Sequence, residues 1–191
     1  MPELNNQNFN HLKIHTQYSI CEGAIKIDNL KDFCKEKKIP CLGLSDTSNL
    51  CGALEFAENI SKVGTQPIIG TQIYFRFEDT TGLLPLIALN ENGYKKIIEL
   101  SSRSYLENDA LSDPHLDIKE LLKDIEGVSL LSGTIQGLFG KLFEKGRLDE
   151  ISKLYKSLSS KFNDNFYLEI QRHGDQNEIA FEKFNLEQSL K

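Results

Sequence analysis

The sequence predicts an α/β fold, with mostly parallel strands covered by outer helices: either a doubly wound sheet or an incomplete β/α barrel. Three observations predict it. Short apolar runs that suit buried strands alternate with amphipathic stretches of helical period, and that alternation implies parallel strands joined by covering helices. Helix start signals fall where the period changes: Ser48 or Asn49 before the second helical stretch, and Asp117 before the fourth. Polar and ionisable residues gather just past the ends of the apolar runs, the place where β/α folds carry their chemistry.

The strand candidates are 10–15, 41–45 (CLGLS), 67–75 (PIIGTQIYF), 84–89 (LPLIAL), 128–132 (VSLLS) and 166–170 (FYLEI). Side chains alternate along a strand, so in the first of them His11, Lys13 and His15 share one face and Leu12 and Ile14 take the other. Helical patterns lie at 27–37, 50–62, 93–105, 117–124, 136–144, 147–161 and 177–190. The polar stretch 107–115 (ENDALSDPH) reads as a surface loop rather than a domain boundary, and no internal repeat or long linker interrupts the chain. One domain over residues 1–191 is expected. The last helical pattern runs to Lys191 without a stop signal and no closing strand follows it, so the polypeptide is expected to continue in its natural form.

The bulk properties narrow the function classes. At 39% hydrophobic and 26% charged residues over 191 positions, the chain reads as an ordinary globular protein. A formal net charge of -6 argues against a whole-surface nucleic-acid binder, and the lysines and arginines are scattered among acids rather than gathered with aromatics into a stripe. No apolar run approaches the roughly 20 residues a membrane helix needs, and no signal-peptide pattern opens the chain. Cys21, Cys34, Cys41 and Cys51 form no C-x-x-C pair, which reads as reduced thiols. A cytoplasmic location without membrane contact is the expectation.

The chemistry-bearing residues begin in HLKIHTQYSICEGAI at 11–25. His15 and Glu22 follow the first strand candidate, Asp46 and Thr47 end the second, Gln72 lies in the third, and Glu169 and His173 lie near the end of the sixth. Converging, they would form the mixed imidazole and carboxylate cluster that binds zinc, manganese or iron. A His-x-His pair could chelate a divalent ion, yet between the histidines stands Lys13, which has no lone pair to donate while it carries a proton. Each residue also has a structural reading. Asp46 in SDTSN suits an Asx-type turn, Glu22 flanks Gly23 at a tight turn, His173 suits a surface loop, and His15 beside Tyr18 and Ser19 suits a neutral hydrogen-bonded imidazole.

Taken together, these segments resemble the N-terminal PHP (polymerase and histidinol phosphatase) domain of the bacterial replicative DNA polymerase III alpha subunit. HLKIHTQYSICEGAIKI resembles that family's opening strand and loop, of the form HLHxHTxYSxLDGAxKI. LGLSDTSNLCGALEFAENISKVGTQPIIGTQIYF resembles its second block, and IALNENGYKKIIELSSRSYLE, GVSLLSG and NDNFYLEIQRHG follow in the family's order. The resemblance covers nearly the whole chain and implies a distorted, incomplete (β/α) PHP barrel, similar to a TIM barrel, whose intact members bind up to three metal ions for phosphoester hydrolysis.

Carried onto this sequence, the resemblance implies a degenerate site. His15, Glu22, Asp46 and His173 stand at retained or conservatively changed ligand positions, while Lys13, Thr47, Gln72 and Pro85 stand where histidine, histidine, glutamate and histidine are usual. The family's closing Asn-Asp-x-His ligands would lie beyond Lys191. A vestigial zinc or manganese site, no catalytic residue and no cofactor in this segment are therefore expected, with magnesium confined to the parent polymerase's own active site. Lys13 is expected to pair with Asp46 or Glu22 in place of the lost cation. The implied role is a silent scaffold in DNA replication that docks a proofreading 3′–5′ exonuclease subunit within the polymerase III holoenzyme, DNA being contacted by other parts of the parent. The competing readings are an active metal-dependent PHP phosphoesterase or 3′–5′ exonuclease, and a free-standing regulatory protein on the same fold.

Overall fold

The computed structural model describes residues 9–109, 111–123 and 125–190. These residues form two compact units, one ending at Thr71 and the other starting at Gln72, with the boundary falling inside one strand.

The first unit combines two helices with the strand Cys41–Thr47 and the start of the strand Gln66–Phe77, neighbours in the sheet. Helix α1, Ile27–Lys37, places Ile27, Leu30 and Cys34 on one face at helical spacing, has Asp28 in its first turn, and stops where Lys38 turns left-handed at φ 52°. Strand β1, Cys41–Thr47, buries Leu42 to Asp46 without a break. Helix α2, Ala53–Ser61, starts later than expected. Its N-cap is Gly52, with no side-chain cap, because Asn49 is engaged one turn earlier: its Oδ1 accepts from the Cys51 amide (3.0 Å) while its Nδ2 donates to the carbonyls of Tyr18 and Thr47 (both 2.9 Å). The Asx-type turn expected at Asp46 is thus made by Asn49.

The expected first strand, 10–15, is an extended segment tied to β1 by a parallel bridge between Ile14 and Leu44 rather than a full strand. The Ile14 amide donates to the Gly43 carbonyl (3.1 Å), the Gly43 amide to the His11 carbonyl (2.6 Å), and the Ser45 amide to the Ile14 carbonyl (2.8 Å). This close approach requires glycine at 43, where a Cβ would lie 2.5 Å from the Leu12 Cα. Leu42, Leu44, Phe56 and Ile60 join the buried face of α1 in one apolar cluster. Each such side chain contributes about 1.5–3 kcal/mol when fully buried.

The second unit takes up the later part of β2, Gln66–Phe77, which turns at Glu78 and Asp79 into β3, Thr80–Ala88. Helix α3, Glu91–Leu106, begins at Asn90, whose side chain accepts from the Gly93 amide. Strand β4, Leu116–Asp117, pairs in parallel with β2 through Phe75 and Arg76 and has no counterpart among the strand candidates. The stretch expected as a helix over 117–124 is a single 3-10 turn, Ile118–Leu122, capped by Asp117 as its start signal implies. Strand β5, Val128–Leu131, runs antiparallel to β3 and parallel to β6, Phe166–Tyr167. The sixth strand is shorter than the apolar run 166–170 suggests: beyond Tyr167 the chain leaves the ladder, and the Glu169 amide donates to the Ser132 hydroxyl (2.9 Å).

Helices α4, Leu138–Glu144, α5, Leu148–Phe162, and α6, Gln176–Ser189, complete this unit. An aromatic group binds them: the Phe139 and Tyr155 rings meet edge-on at 4.7 Å, and Phe143 lies 5.3 Å from Phe181 and 5.5 Å from Phe184. Burial pushes the Tyr155 phenol well above its ordinary pKa, and its hydroxyl donates to Asn185 (3.0 Å). Among the described residues no helix is long and apolar enough to cross a membrane, and all four cysteines are free.

Candidate functional site

Asp46, at the carboxyl end of β1, is fully buried. Burying a carboxylate is costly unless its lone pairs are met, and here they are met by neutral donors. Oδ1 accepts from the Thr16 amide (2.6 Å) and the Ser19 hydroxyl (2.8 Å), and Oδ2 accepts from the Thr16 hydroxyl (2.7 Å). Thr16 and Ser19 are themselves fully buried. The Asp46 main-chain carbonyl accepts from the Thr71 hydroxyl (2.6 Å), which also reaches the Asn49 carbonyl (3.0 Å). The cost of burying Asp46 is thereby offset by amide and hydroxyl donors.

The loop 16–23 is built around this anchor. The Ser19 amide donates to the Thr16 carbonyl (2.9 Å), and the amides of Glu22 and Gly23 donate to the Ser19 carbonyl (3.0 and 2.9 Å). A Cβ at Gly23 would sit 2.0 Å from the Thr16 carbonyl oxygen, so the loop closes this tightly because residue 23 is glycine. The Ser19 hydroxyl, having donated to Asp46, accepts from the Thr47 amide (3.0 Å), and the Thr47 hydroxyl donates to Glu22 Oε2 (2.5 Å). Tyr18 extends the network to α2 by donating to Glu55 (2.6 Å), and that carboxylate holds the phenol above its ordinary pKa. His15 and Lys13 are half-buried in the segment that leads into the loop.

The structure thus brings Asp46, Glu22 and Thr47 into one network in the first unit, with Thr16, Ser19 and Thr71 as partners that sequence reasoning missed. No local pattern marks hydroxyls that meet an aspartate 30 or 27 residues away. Gln72, Pro85 and His173 belong to the second unit. Gln72 is buried within β2 and Pro85 is buried within β3. His173 is exposed in the turn before α6 and is held by Glu178: its amide donates to Oε2 (2.7 Å) and its Nδ1 lies 2.9 Å from Oε1. These contacts hold the Glu178 carboxyl below its ordinary pKa. Glu178 also completes a capping box with Asp175, a D-x-x-E signal present in the sequence at 175–178. Beside it lies a cavity of about 10 Å³ lined by Glu169, Glu178 and Glu182, the size of one water.

As a donor set for a divalent cation, the residues of the first unit do not fit. Both Asp46 oxygens face hydrogen-bond donors, and Glu22 is engaged by Thr47. Among the described residues, no three His, Cys, Asp or Glu side chains form a group able to hold a metal ion.

Comparison with known proteins gives the family. Residues 11–173 match the PHP domain model. The chain is 37% identical over 191 aligned positions to DNA polymerase III subunit alpha of Caulobacter vibrioides, 32% identical to that of Vibrio cholerae and 34% identical to that of Thermus aquaticus. These alignments cover 95%, 94% and 87% of this chain but 17%, 16% and 15% of the relatives, so the chain spans about a sixth of their length. A solved structure from Bifidobacterium adolescentis, described as a candidate metal-dependent phosphoesterase, superposes with a TM-score of 0.54 over 94% of this chain and 84% of its own. At 12% identity that likeness concerns the fold alone. The match over 11–173, on the fold just described, identifies the chain as a member of the PHP domain family.

Proposed function

We propose that this chain is a catalytically silent PHP domain that serves as a scaffold in a bacterial replicative DNA polymerase. The observation that carries this reading is the 37% identity to a DNA polymerase III alpha subunit across 95% of the chain. The parent would perform template-directed DNA synthesis at its own magnesium site in the cytoplasm, and this domain would dock a separate proofreading 3′–5′ exonuclease subunit within the holoenzyme. His15, Glu22, Asp46 and His173 are then remnants of a zinc or manganese site, with Lys13, Thr47, Gln72 and Pro85 marking lost ligands. Metal-assisted hydrolysis needs several deprotonated ligands in fixed geometry and an open position for water. The hydroxyl partners of Asp46 and Glu22 support silence.

Among the apolar residues of the later helices, Leu148 is exposed and suits a docking contact, whereas Leu142 is fully buried and Phe143 packs on Phe181 and Phe184. The reading is tested by metal analysis and phosphoester hydrolysis on the purified chain, together with co-elution with a 3′–5′ exonuclease subunit. Substoichiometric metal, no chelator-sensitive hydrolysis and a stable complex are expected. Stoichiometric zinc or manganese with hydrolysis abolished by EDTA would overturn it in favour of an active PHP phosphoesterase or 3′–5′ exonuclease, the second reading, which the presence of His15, Asp46 and His173 favours.

A further inference from the structure

We infer that hydroxyl hydrogen bonds centred on the pair Thr47 and Glu22 hold the loop 16–23 closed on the end of β1, and that the order of this loop is therefore independent of metal. The inference rests on the silent-scaffold reading and deepens it, by naming what does the mechanical work once ligands are lost.

Two changed positions are complementary in this structure. Position 22 carries glutamate, one methylene longer than aspartate, and its Oε2 reaches the Thr47 hydroxyl. Position 47 carries a side chain that donates a proton through oxygen, where an imidazole would have offered a nitrogen lone pair to a cation. Glu22 Oε2 therefore faces the Thr47 proton, and each partner would lose this hydrogen bond without the other.

The pair closes a chain of contacts rather than standing alone. Thr47 uses its amide to reach the Ser19 hydroxyl, Ser19 passes its own proton to Asp46, and Asp46 takes both polar hydrogens of Thr16. One end of the loop is thus tied to the buried carboxylate through Thr16 and the other to the rim of β1 through Glu22. Every donor in this chain of contacts is an amide or a hydroxyl, so no cation is required for it to form.

The test is hydrogen exchange of the 17–23 amides in the full chain, with EDTA, with added zinc and with added manganese, alongside the thermal midpoint. The same protection and the same midpoint are expected in all three conditions. Thr47→Val should speed exchange in 17–23 by about fivefold or more, the scale of one lost hydrogen bond, and Thr47→Ser should restore protection. Glu22→Ala gives a second reading of the same bond with the Asp46 contacts intact, and Glu22→Gln, which keeps an acceptor oxygen, should retain most protection. Saturable protection by zinc or manganese, or unchanged exchange in both Thr47→Val and Glu22→Ala, overturns the inference. Metal-dependent protection without hydrolysis would overturn the lock and leave the scaffold reading intact. Chelator-sensitive hydrolysis would overturn the scaffold reading, and loop exchange would then judge the lock separately.

Discussion

Asp46 in the first unit and Arg147 in the second anchor polar networks of opposite design. Asp46 is fully buried and held by three hydrogen bonds from neutral groups. Arg147 sits near the surface, faces the carboxylates of Glu78, Asp79 and Glu150, and lies over the Phe77 ring at 5.2 Å. By charge alone the Arg147 network ranks as the stronger. By environment the order reverses, because a buried group deprived of its partner has no water to fall back on, whereas an exposed ion exchanges one set of solvating dipoles for another. The first unit thus concentrates its polar stability in a few irreplaceable atoms, and the second spreads its own over many replaceable ones.

Removing the buried carboxylate should do the most damage. Asp46→Ala leaves the Thr16 amide, the Thr16 hydroxyl and the Ser19 hydroxyl without their acceptor in a dry site, with an expected loss of about 3 kcal/mol or more. In a chain of this size that corresponds to roughly 6–12 °C in the melting temperature, read by thermal denaturation. Equal melting of the variant and the parent chain would show that the buried network does not outweigh the surface one. Ser19→Ala comes next. It deletes one donor to Asp46 and the acceptor of the Thr47 amide, for an expected loss of about 1–3 kcal/mol by urea denaturation.

The same contrast between local and long-range order governs how much of the molecule is legible in its amino-acid sequence. Helix α1 is legible because Ile27, Leu30 and Cys34 repeat at helical spacing. Strand β1 is legible because a continuous apolar run suits a strand buried on both faces. The two-residue β4 is not legible, since its pairing with Phe75 and Arg76 is a long-range event that leaves no periodicity. Asp46, Glu22 and the substituted Thr47 can be singled out by residue type and by likeness to a family pattern. The roles of Thr16 and Thr71 cannot, because a buried hydroxyl is ordinary in composition and gains meaning from what it touches. The Glu178 capping box is readable in DQNE but lies in the shadow of His173, the more conspicuous residue by its chemistry.

On the surface side of the comparison, Arg147→Ala should lower the melting temperature by no more than about 2 °C. The loss should shrink further in 1 M salt, where the screening length is about 3 Å. A salt-insensitive loss would mean that the stacking on Phe77, rather than the ion pairs, carries the contribution of Arg147.

Acidification separates the two networks most finely. The Arg147 guanidinium holds the Glu150 carboxyl below its ordinary pKa, and the Lys145 ammonium, with the Thr80 hydroxyl, does the same for Asp79. In the folded chain both groups take up a proton at lower pH than in the unfolded chain. Their stabilisation is therefore present in full above the ordinary carboxyl range, about pH 4–4.5, and is lost as the pH falls through the depressed values. Glu150→Gln should flatten this acid limb slightly, as measured by melting temperature against pH from about 6 down to about 3, while leaving the plateau near neutrality almost unmoved. The effect should be the smallest of the four because these carboxylates remain open to solvent. An acid limb that survives Glu150→Gln unchanged but disappears in Asp79→Asn would assign the proton uptake to the hairpin turn between β2 and β3, where Lys145 meets Asp79.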